Sequence, residues 1–510
     1  MSRSLFARLN ARYGHKVDPL TRRDFVKASV AASATLLLSR YSFGDTPARS
    51  VKKRIVVIGA GFSGLACAHE LLAAGYDVTV IEARDRVGGR VLSLRDFVPG
   101  KNVEGGGELL GSNHLNWMSY AQKFGLEFID VTESEDECPI TLGGKRLSAE
   151  EQEKVWEEMD AAFNVMNEDA KTVNAEQPWA SADAAALDKK SVKEWLDAQK
   201  ELSDLTRMAC DVQLSSDNGQ ACANQSYLGL LASVAGGGGE TYWTESEVYR
   251  CKGGNQQLAF KLVEAIGPQK VILGLPVTDV RVTNTGVTIT CKDGRTIECD
   301  EVIVTVPPTV WSRINFTPGF PKQLYPQMGH NLKWLGHIKT RFWKDAKLAP
   351  DSLSDGMISQ TWEGTDAQEG DDGACLNCFS GGDPVKTAME FTRGADADGK
   401  YLDELAKVYT NIKENYVNSR FMNWPKDPWT QTGYSFPAPG QVTTVGPALW
   451  KGIGPIHFAG EHCSYQFVGY MEGGLSSGVL LARRLAMRDG LIKPATQPAT
   501  MPTSAPAMAK

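Results

Sequence analysis

At 510 residues, with 42% hydrophobic and 23% charged positions, the chain can bury a large core and is too long for one ordinary domain, so two joined domains are expected. A net charge of −7 without a basic stripe excludes a nucleic-acid binder, because Lys and Arg on phosphates supply most of that affinity. Ten cysteines scattered from Cys67 to Cys463 exclude a disulfide scaffold.

The first feature in chain order is basic: Thr21-Arg22-Arg23-Asp24-Phe25-Val26-Lys27, then the apolar run Ala28 to Leu38 and Ser42-Phe43-Gly44. This reads as a twin-arginine signal over residues 1–44, handled by the Tat export machinery and lost if cleavage follows Gly44; an uncleaved anchor and a basic amphipathic N-terminal helix of a cytosolic protein are the alternatives. The run is about half of what crosses a hydrocarbon layer, so no stable membrane insertion is expected. A periplasmic or extracellular location follows, reached by a protein that folds before export. The segment holds eight Lys or Arg against two Asp or Glu, so its loss leaves a more acidic chain that weakly attracts cations, amines included.

Next, Arg54 to Ile58 predicts a buried parallel strand, followed by Gly59-Ala60-Gly61-Phe62-Ser63-Gly64 and a helical run from Leu65 to Ala74. Gly59 permits the tight turn, Gly61 lets the backbone approach a pyrophosphate, and Gly64 lets the helix pack on the strand. The helix start, with Phe62 and Ser63, then faces the phosphates. A second strand, Asp77 to Ile81, ends in Glu82, whose carboxylate suits ribose hydroxyls and argues against NADP. Together these predict a dinucleotide site on a βαβ unit.

Further on, Glu150 to Leu205 has helical apolar spacing, and Gly236 to Gly239 predicts a mobile loop near the substrate. Short strands are expected at 271–273, 277–282, 287–291 and 301–306. Another series covers Asn331 to Phe342 and Ala374 to Phe379, with helix from Tyr401 to Tyr416. Cys375 and Cys378 read as two thiols on an apolar strand, since no second Cys or His pair completes a metal set. The stretch from Lys493 to Lys510 is rich in Pro, Ala, Thr and Ser and predicts a disordered tail.

Immediately after Glu82 stands Ala83-Arg84-Asp85-Arg86-Val87-Gly88-Gly89-Arg90, a second glycine pair followed by a fixed positive charge. With it the chain resembles the flavin amine oxidase family, which includes monoamine oxidase-like and L-amino-acid oxidase-like flavoproteins. The resemblance continues at Val103-Glu104-Gly105-Gly106-Gly107-Glu108, Tyr249 to Gly254, Pro276-Val277 and Val306-Pro307-Pro308. It closes at His457-Phe458-Ala459-Gly460-Glu461-His462 and Gly469-Tyr470-Met471-Glu472-Gly473-Gly474, so it covers about residues 52 to 487.

The resemblance implies a Rossmann-like FAD-binding domain of the α/β type, assembled from about 51–120, 250–313 and 440–490. An inserted substrate domain of mixed sheet and helices, 121–249 and 314–439, would complete an α+β whole. It implies that Glu82 and Arg90 contact the adenine half of FAD, with Ala83, Arg84 and Gly89 alongside. Gly106, Gly107, Glu108 and Leu109 would pass the flavin, Val277 would meet the adenine moiety, and Gly460, Glu461, Tyr470 and Met471 would close over the cofactor.

For chemistry, the family implies two aromatic walls before the flavin, matched here by Tyr434 and Tyr470, and a strand lysine that holds water near flavin N5. Lys333 fits, nine residues ahead of Phe342-Trp343. Its neighbours Trp334 and Leu335 suggest a desolvated ammonium. Gly433 stands where some relatives attach flavin to a cysteine, so FAD is expected to be non-covalent.

The implied reaction oxidises a primary or secondary amine to an imine by hydride transfer to flavin N5, with oxygen returning hydrogen peroxide. L-amino-acid oxidases are the alternative, but Leu109 stands where their carboxylate-binding arginine falls. A flavin desaturase or isomerase, and a non-catalytic FAD-binding protein, fit the Lys333, Tyr434 and Tyr470 set less well. Glu108 is left with two readings, a partner for a remote substrate cation or an acid satisfied by local backbone donors. His114 and His462 read as supporting residues, since neither has metal or triad spacing.

Overall fold

Four consecutive apolar residues make Arg54–Ile58 a strand buried on both faces, as the centre of a parallel sheet requires. In the computed structural model, which describes residues 5–14, 53–132, 136–370, 372–391 and 396–492, this strand lies third of five. The order is Ile456–Phe458, Glu301–Val304, Arg54–Ile58, Asp77–Ile81 and Val271–Ile272, all parallel. Three distant stretches of chain thus share one Rossmann-type sheet. The twin-arginine motif, its apolar run and the C-terminal tail lie outside the described residues.

The Phe62–Ala73 helix covers this sheet, and the Met471–Arg488 helix packs on it so closely that a Cβ on Gly478 would meet the Ser63 carbonyl oxygen at 2.2 Å. Glycine is required there for contact between the two backbones. The contact fixes Tyr470, the residue capping the N-terminus of the second helix. A four-stranded sheet, Thr296–Cys299, Gly286–Cys291, Val277–Thr283 and Asn315–Thr317, flanks the nucleotide unit.

The second large element is a mixed seven-stranded sheet, ordered Tyr416–Met422, Asn331–Ile338, Ala374–Gly381, Gln360–Glu363, Ser352–Ser354, Ile140–Leu142 and Lys145–Arg146. Its pairs are antiparallel except Ser352–Ser354 with Ile140–Leu142. Helices Ala149–Ala170, Asp204–Asn218 and Tyr227–Gly237 form a separate apolar cluster beside it. The first of these starts at a Ser148–Glu151 capping box, which satisfies two otherwise orphan backbone donors.

Three local expectations are corrected. Phe342 is not on a strand: the Asn331–Ile338 strand ends earlier, the Lys339 amide turns to the Asn415 carbonyl, and Phe342–Ala346 forms a 3-10 turn with Phe342 and Trp343 buried. Tyr401 to Tyr416 is not one helix. Ala397–Ala406 and Ile412–Asn415 are separated where Tyr409 drops into the core and donates to the Ala349 carbonyl at 3.0 Å, and Tyr416 begins a strand. Gly236 to Gly239 is not a loop. Gly236 and Gly237 end the Tyr227–Gly237 helix, Gly238 turns the chain at φ 90°, and a Cβ on Gly236 would strike the Gln466 backbone at 2.7 Å. This is a packed corner between helices.

Cys375 and Cys378 are buried free thiols on the Ala374–Gly381 strand, as the apolar-strand reading expects, and all ten cysteines are free. Among the described residues no helix is long and apolar enough to cross a membrane, and no His, Cys, Asp and Glu cluster could hold a metal.

Candidate active site

A cavity of about 1630 Å³ runs from the end of the Arg54–Ile58 strand to the mixed sheet. Its nucleotide end is lined by Gly59, Gly61, Phe62, Ser63, Glu82, Ala83, Arg84, Gly89, Arg90 and Val277. Its other end brings in Gly106, Gly107, Glu108, Leu109, Lys333, Tyr434, Gly460, Glu461, Tyr470 and Met471. Gly64 alone of the expected set stays outside. It serves packing, since a Cβ there would lie 2.0 Å from the Gly59 carbonyl oxygen.

The backbone around Gly61 is open toward the cavity. An added Cβ would meet only the Gly89 Cα, at 3.9 Å. Glu82 accepts the Ala60 and Arg84 amides at 2.8 and 2.9 Å, one on each oxygen, which fixes its carboxylate and leaves lone pairs for ribose hydroxyls. Glycine, helix start and carboxylate therefore fit a dinucleotide cofactor. Arg84 is tied to Asp427 and Thr430, drawing the segment before Tyr434 over the nucleotide end.

On the mixed sheet, the two-residue period sends Lys333, Asn377 and Trp362 from three adjacent strands to one face. All three donate to Glu108: Lys333 Nζ at 2.7 Å, Trp362 Nε1 at 2.9 Å and Asn377 Nδ2 at 3.0 Å. Arg250 Nε adds a fourth donor at 2.9 Å. Burial pushes the Glu108 carboxyl up, but Lys333 and Arg250 outweigh it and hold it below the usual carboxylate range. Glu108 thus meets neither earlier reading. Side-chain donors, not backbone, satisfy it, and it is spoken for before any substrate cation arrives.

Lys333 is buried, and its three ammonium hydrogens go to Glu108 and to the Glu104 and Gly106 carbonyls, both at 3.1 Å. The ammonium also lies 5.3 Å over the Trp362 ring. Trp334 and Leu335 were expected to surround it. Trp334 instead points to the opposite face, stacked on Tyr401 and bonded to Asp398. The lysine has a charged partner rather than an apolar sleeve.

Tyr434 packs with Trp362 and Phe379 and donates its hydroxyl to the Asp217 carbonyl at 2.8 Å. Tyr470 is held edge-on by His114 and Phe467 at 5.4 and 5.8 Å between centroids. Burial depresses His114 to about 3, so this imidazole is neutral, and its Nδ1 accepts the Gly111 amide. His462, pushed down to about 4 by burial, packs on Trp311. Both histidines pack against aromatic rings.

Three groups were missed in the sequence. Arg250 lay inside a quoted motif, but nothing in its spacing showed that it faces Glu108. Glu247 lines the cavity beside Tyr470, and desolvation pushes its carboxyl up to about 8. Asp217 lines a smaller cavity of about 760 Å³ that Glu247 and Tyr470 share with the large one. No local pattern marks either acid: Asp217 lies at the end of the Asp204–Asn218 helix and Glu247 in the turn before the Tyr249–Cys251 strand, and each reaches the site only through tertiary packing.

A Rossmann-type sheet with an open glycine turn, joined through one cavity to a sheet face that presents a lysine and two tyrosines, defines a dinucleotide-dependent oxidoreductase. Residues 62–486 match the model for flavin-containing amine oxidoreductases, and the chain belongs to that family. It is 27% identical over 466 residues to flavin-containing amine oxidase A of Sus scrofa, covering 84% of each chain. It is 26% identical over 473 residues to the human B form, covering 87% of this chain and 88% of that one. Among solved structures it resembles wild-type putrescine oxidase bound to putrescine, with a TM-score of 0.76 and 26% identity over 86% of this chain and all of that one. Cyclohexylamine oxidase from Brevibacterium oxydans IH-35A gives 0.75 at 26% identity, with the same coverage.

Proposed function

We propose that this protein is an exported FAD-dependent amine oxidase that converts a primary or secondary amine to an imine, which water hydrolyses to an aldehyde and an amine or ammonia. The observation that carries this reading is the convergence of Lys333, Tyr434 and Tyr470 on the cavity that also holds the nucleotide turn. The chemistry supplied by bound FAD is acceptance of a hydride from the amine α-carbon and its return to oxygen as hydrogen peroxide.

The chain's own residues bind and orient. Gly61, Glu82 and Arg90 would hold the nucleotide, and Gly106 to Leu109 would border the flavin. Tyr434 and Tyr470 wall the amine, presenting ring faces to it and excluding water. Lys333 supports a water near the reacting centre by releasing one of its two 3.1 Å carbonyl bonds, while its ion pair with Glu108 persists.

Leu109 is buried and apolar at the cavity wall, so an α-carboxylate there would lose its hydration without an arginine to receive it. This supports plain amines over amino acids. No cysteine lines the large cavity among the described residues, and Gly433 precedes Tyr434, which supports non-covalent FAD.

Peroxide release over monoamines, diamines, polyamines and L-amino acids tests the reading. Turnover confined to amino acids overturns it. The export part is tested by fractionating cells with and without the twin-arginine translocase, and equal cytoplasmic retention in both refutes it.

A further inference from the structure

The Leu5–Tyr13 helix lies upstream of the twin-arginine motif, where a leader would be expected to stand apart from the enzyme. It does not. Leu5, Phe6 and Leu9 are buried at 3%, 2% and 1% exposure, inside the same apolar cluster as Phe163, Tyr242 and Trp243. The Phe6 ring stacks on Phe163 at 5.3 Å, the Phe6 amide donates to Gln213 Oε1 at 3.0 Å, and Tyr13 donates to the Ala149 carbonyl at 3.1 Å. Arg8 pairs with Asp351. Burying three large apolar side chains removes them from water, which favours the docked helix over a free one.

The docked helix closes one side of the smaller cavity. Ala7, Arg8 and Ala11 form that side, and Gln213, Asp217, Glu247 and Tyr470 face them. Because Glu247 and Tyr470 line both cavities, they stand between them, and the helix lies on the far side of the smaller one from the aromatic pair. Gln213 is fully buried, and its Nε2 has no hydrogen-bond partner among the described residues. The Phe6 amide holds the other end of that side chain, so the helix decides that the glutamine presents a donor to the cavity.

We propose that the Leu5–Tyr13 helix is part of the amine-binding site: it forms the outer wall of the cavity beyond Tyr470 and sets the length of amine the enzyme accepts. An enzyme cut after Gly44 and one that keeps its leader then differ in selectivity. The inference rests on the amine-oxidase reading above.

The test compares kcat/KM for 4-phenylbutylamine and n-butylamine in the full-length holoenzyme, in Ala11→Trp and in a form lacking residues 2–14, with FAD content read from the visible spectrum. Ala11→Trp should lower the long-to-short ratio at least tenfold, and the deletion should raise it by a similar factor. A ratio within twofold of the full chain in Ala11→Trp overturns the proposal, including where the deletion fails to fold. Hydrogen exchange over residues 5–13 gives a readout that needs no turnover. Slow exchange supports the docked wall, and exchange at the rate of an unstructured peptide refutes it. Absence of amine turnover in every form, with slow exchange retained, refutes the amine-oxidase reading instead.

Discussion

The Arg90 guanidinium meets the Glu461 carboxylate at 3.0 Å, and the same carboxylate accepts the Ser435 hydroxyl at 2.6 Å and the Gly469 amide at 2.9 Å. Ser435 follows Tyr434, and Gly469 precedes Tyr470. Arg90 also donates to the carbonyl of Gly433, on the other side of Tyr434. One buried acid therefore ties the nucleotide end to both aromatic walls. Burial pushes Glu461 up, but Arg90 and His462 together with the Ser435 bond outweigh it and keep it low and ionised.

Glu461→Gln should consequently loosen both tyrosines at once and leave Arg90 without its anion. The expected loss in kcat/KM is about 10- to 100-fold, equivalent to about 1.4–2.8 kcal/mol of transition-state stabilisation. Steady-state kinetics alongside the bound-flavin spectrum check this. Full activity with unchanged flavin content would show that Glu461 does not position the pair.

Glu108 and Lys333 should behave asymmetrically. Removing Glu108 leaves Lys333 buried without its carboxylate partner, while Arg250 keeps Asp366; removing Lys333 leaves Glu108 still bonded to Arg250, Trp362 and Asn377. Glu108→Ala should cost about 3–5 kcal/mol of stability and Lys333→Met clearly less. Urea unfolding of the two holoenzymes decides between this and equal losses. Lys333→Met should retain its flavin while flavin reduction, reoxidation or both slow sharply in stopped flow.

A pH effect on substrate binding follows from Glu247. Its carboxyl, held at about 8, is neutral below that pH and becomes an anion above it, beside Asp217 and Tyr470. A diamine whose second ammonium reaches this acid should show KM falling as pH rises through about 8, with no matching change for a monoamine of equal length. Glu247→Gln should flatten the difference, and an identical profile in that variant would remove Glu247 from the amine path.

The buried histidines give a stability signature of defined sign. His114 and His462 have folded values near 3 and 4, below the usual 6.5, so between pH 6.5 and about 4 only the unfolded state takes up these protons. Their contribution is fully present above 6.5 and is lost as pH falls through that window. Relative to wild type, His462→Leu should gain stability steadily from pH 7 to pH 5 in urea titrations. A pH-independent difference would contradict neutral burial.

Acid precipitation should release the yellow chromophore to the supernatant. Colour retained in the pellet would indicate covalent flavin despite Gly433.

Much of the nucleotide end was legible because its requirements are local. A turn needs Gly59, a phosphate needs an open Gly61, and a ribose needs a carboxylate at a strand end, all within thirty residues of chain. Lys333 and the tyrosines were legible only through family motifs, since a strand lysine and two tyrosines carry no pattern of their own. Where local reading failed, packing had overruled propensity: Gly236 and Gly237 read as a loop yet end a helix, where the Gln466 backbone lies against the first and Tyr242 against the second.

The sequence by itself determined the dinucleotide turn, the order of the motifs and the absence of a carboxylate-binding arginine at Leu109, since each depends on residue types at short or fixed spacing. Only the tertiary structure decided that Glu108 is already neutralised by Lys333 and Arg250, that Glu461 spans both aromatic segments, and that the Leu5–Tyr13 helix packs beside the smaller cavity. The widest of those pairings, Glu108 with Arg250 and Lys333 and Arg90 with Glu461, join distant stretches of chain, and each is set by which face of a sheet or helix a side chain occupies, information that exists only once the elements pack.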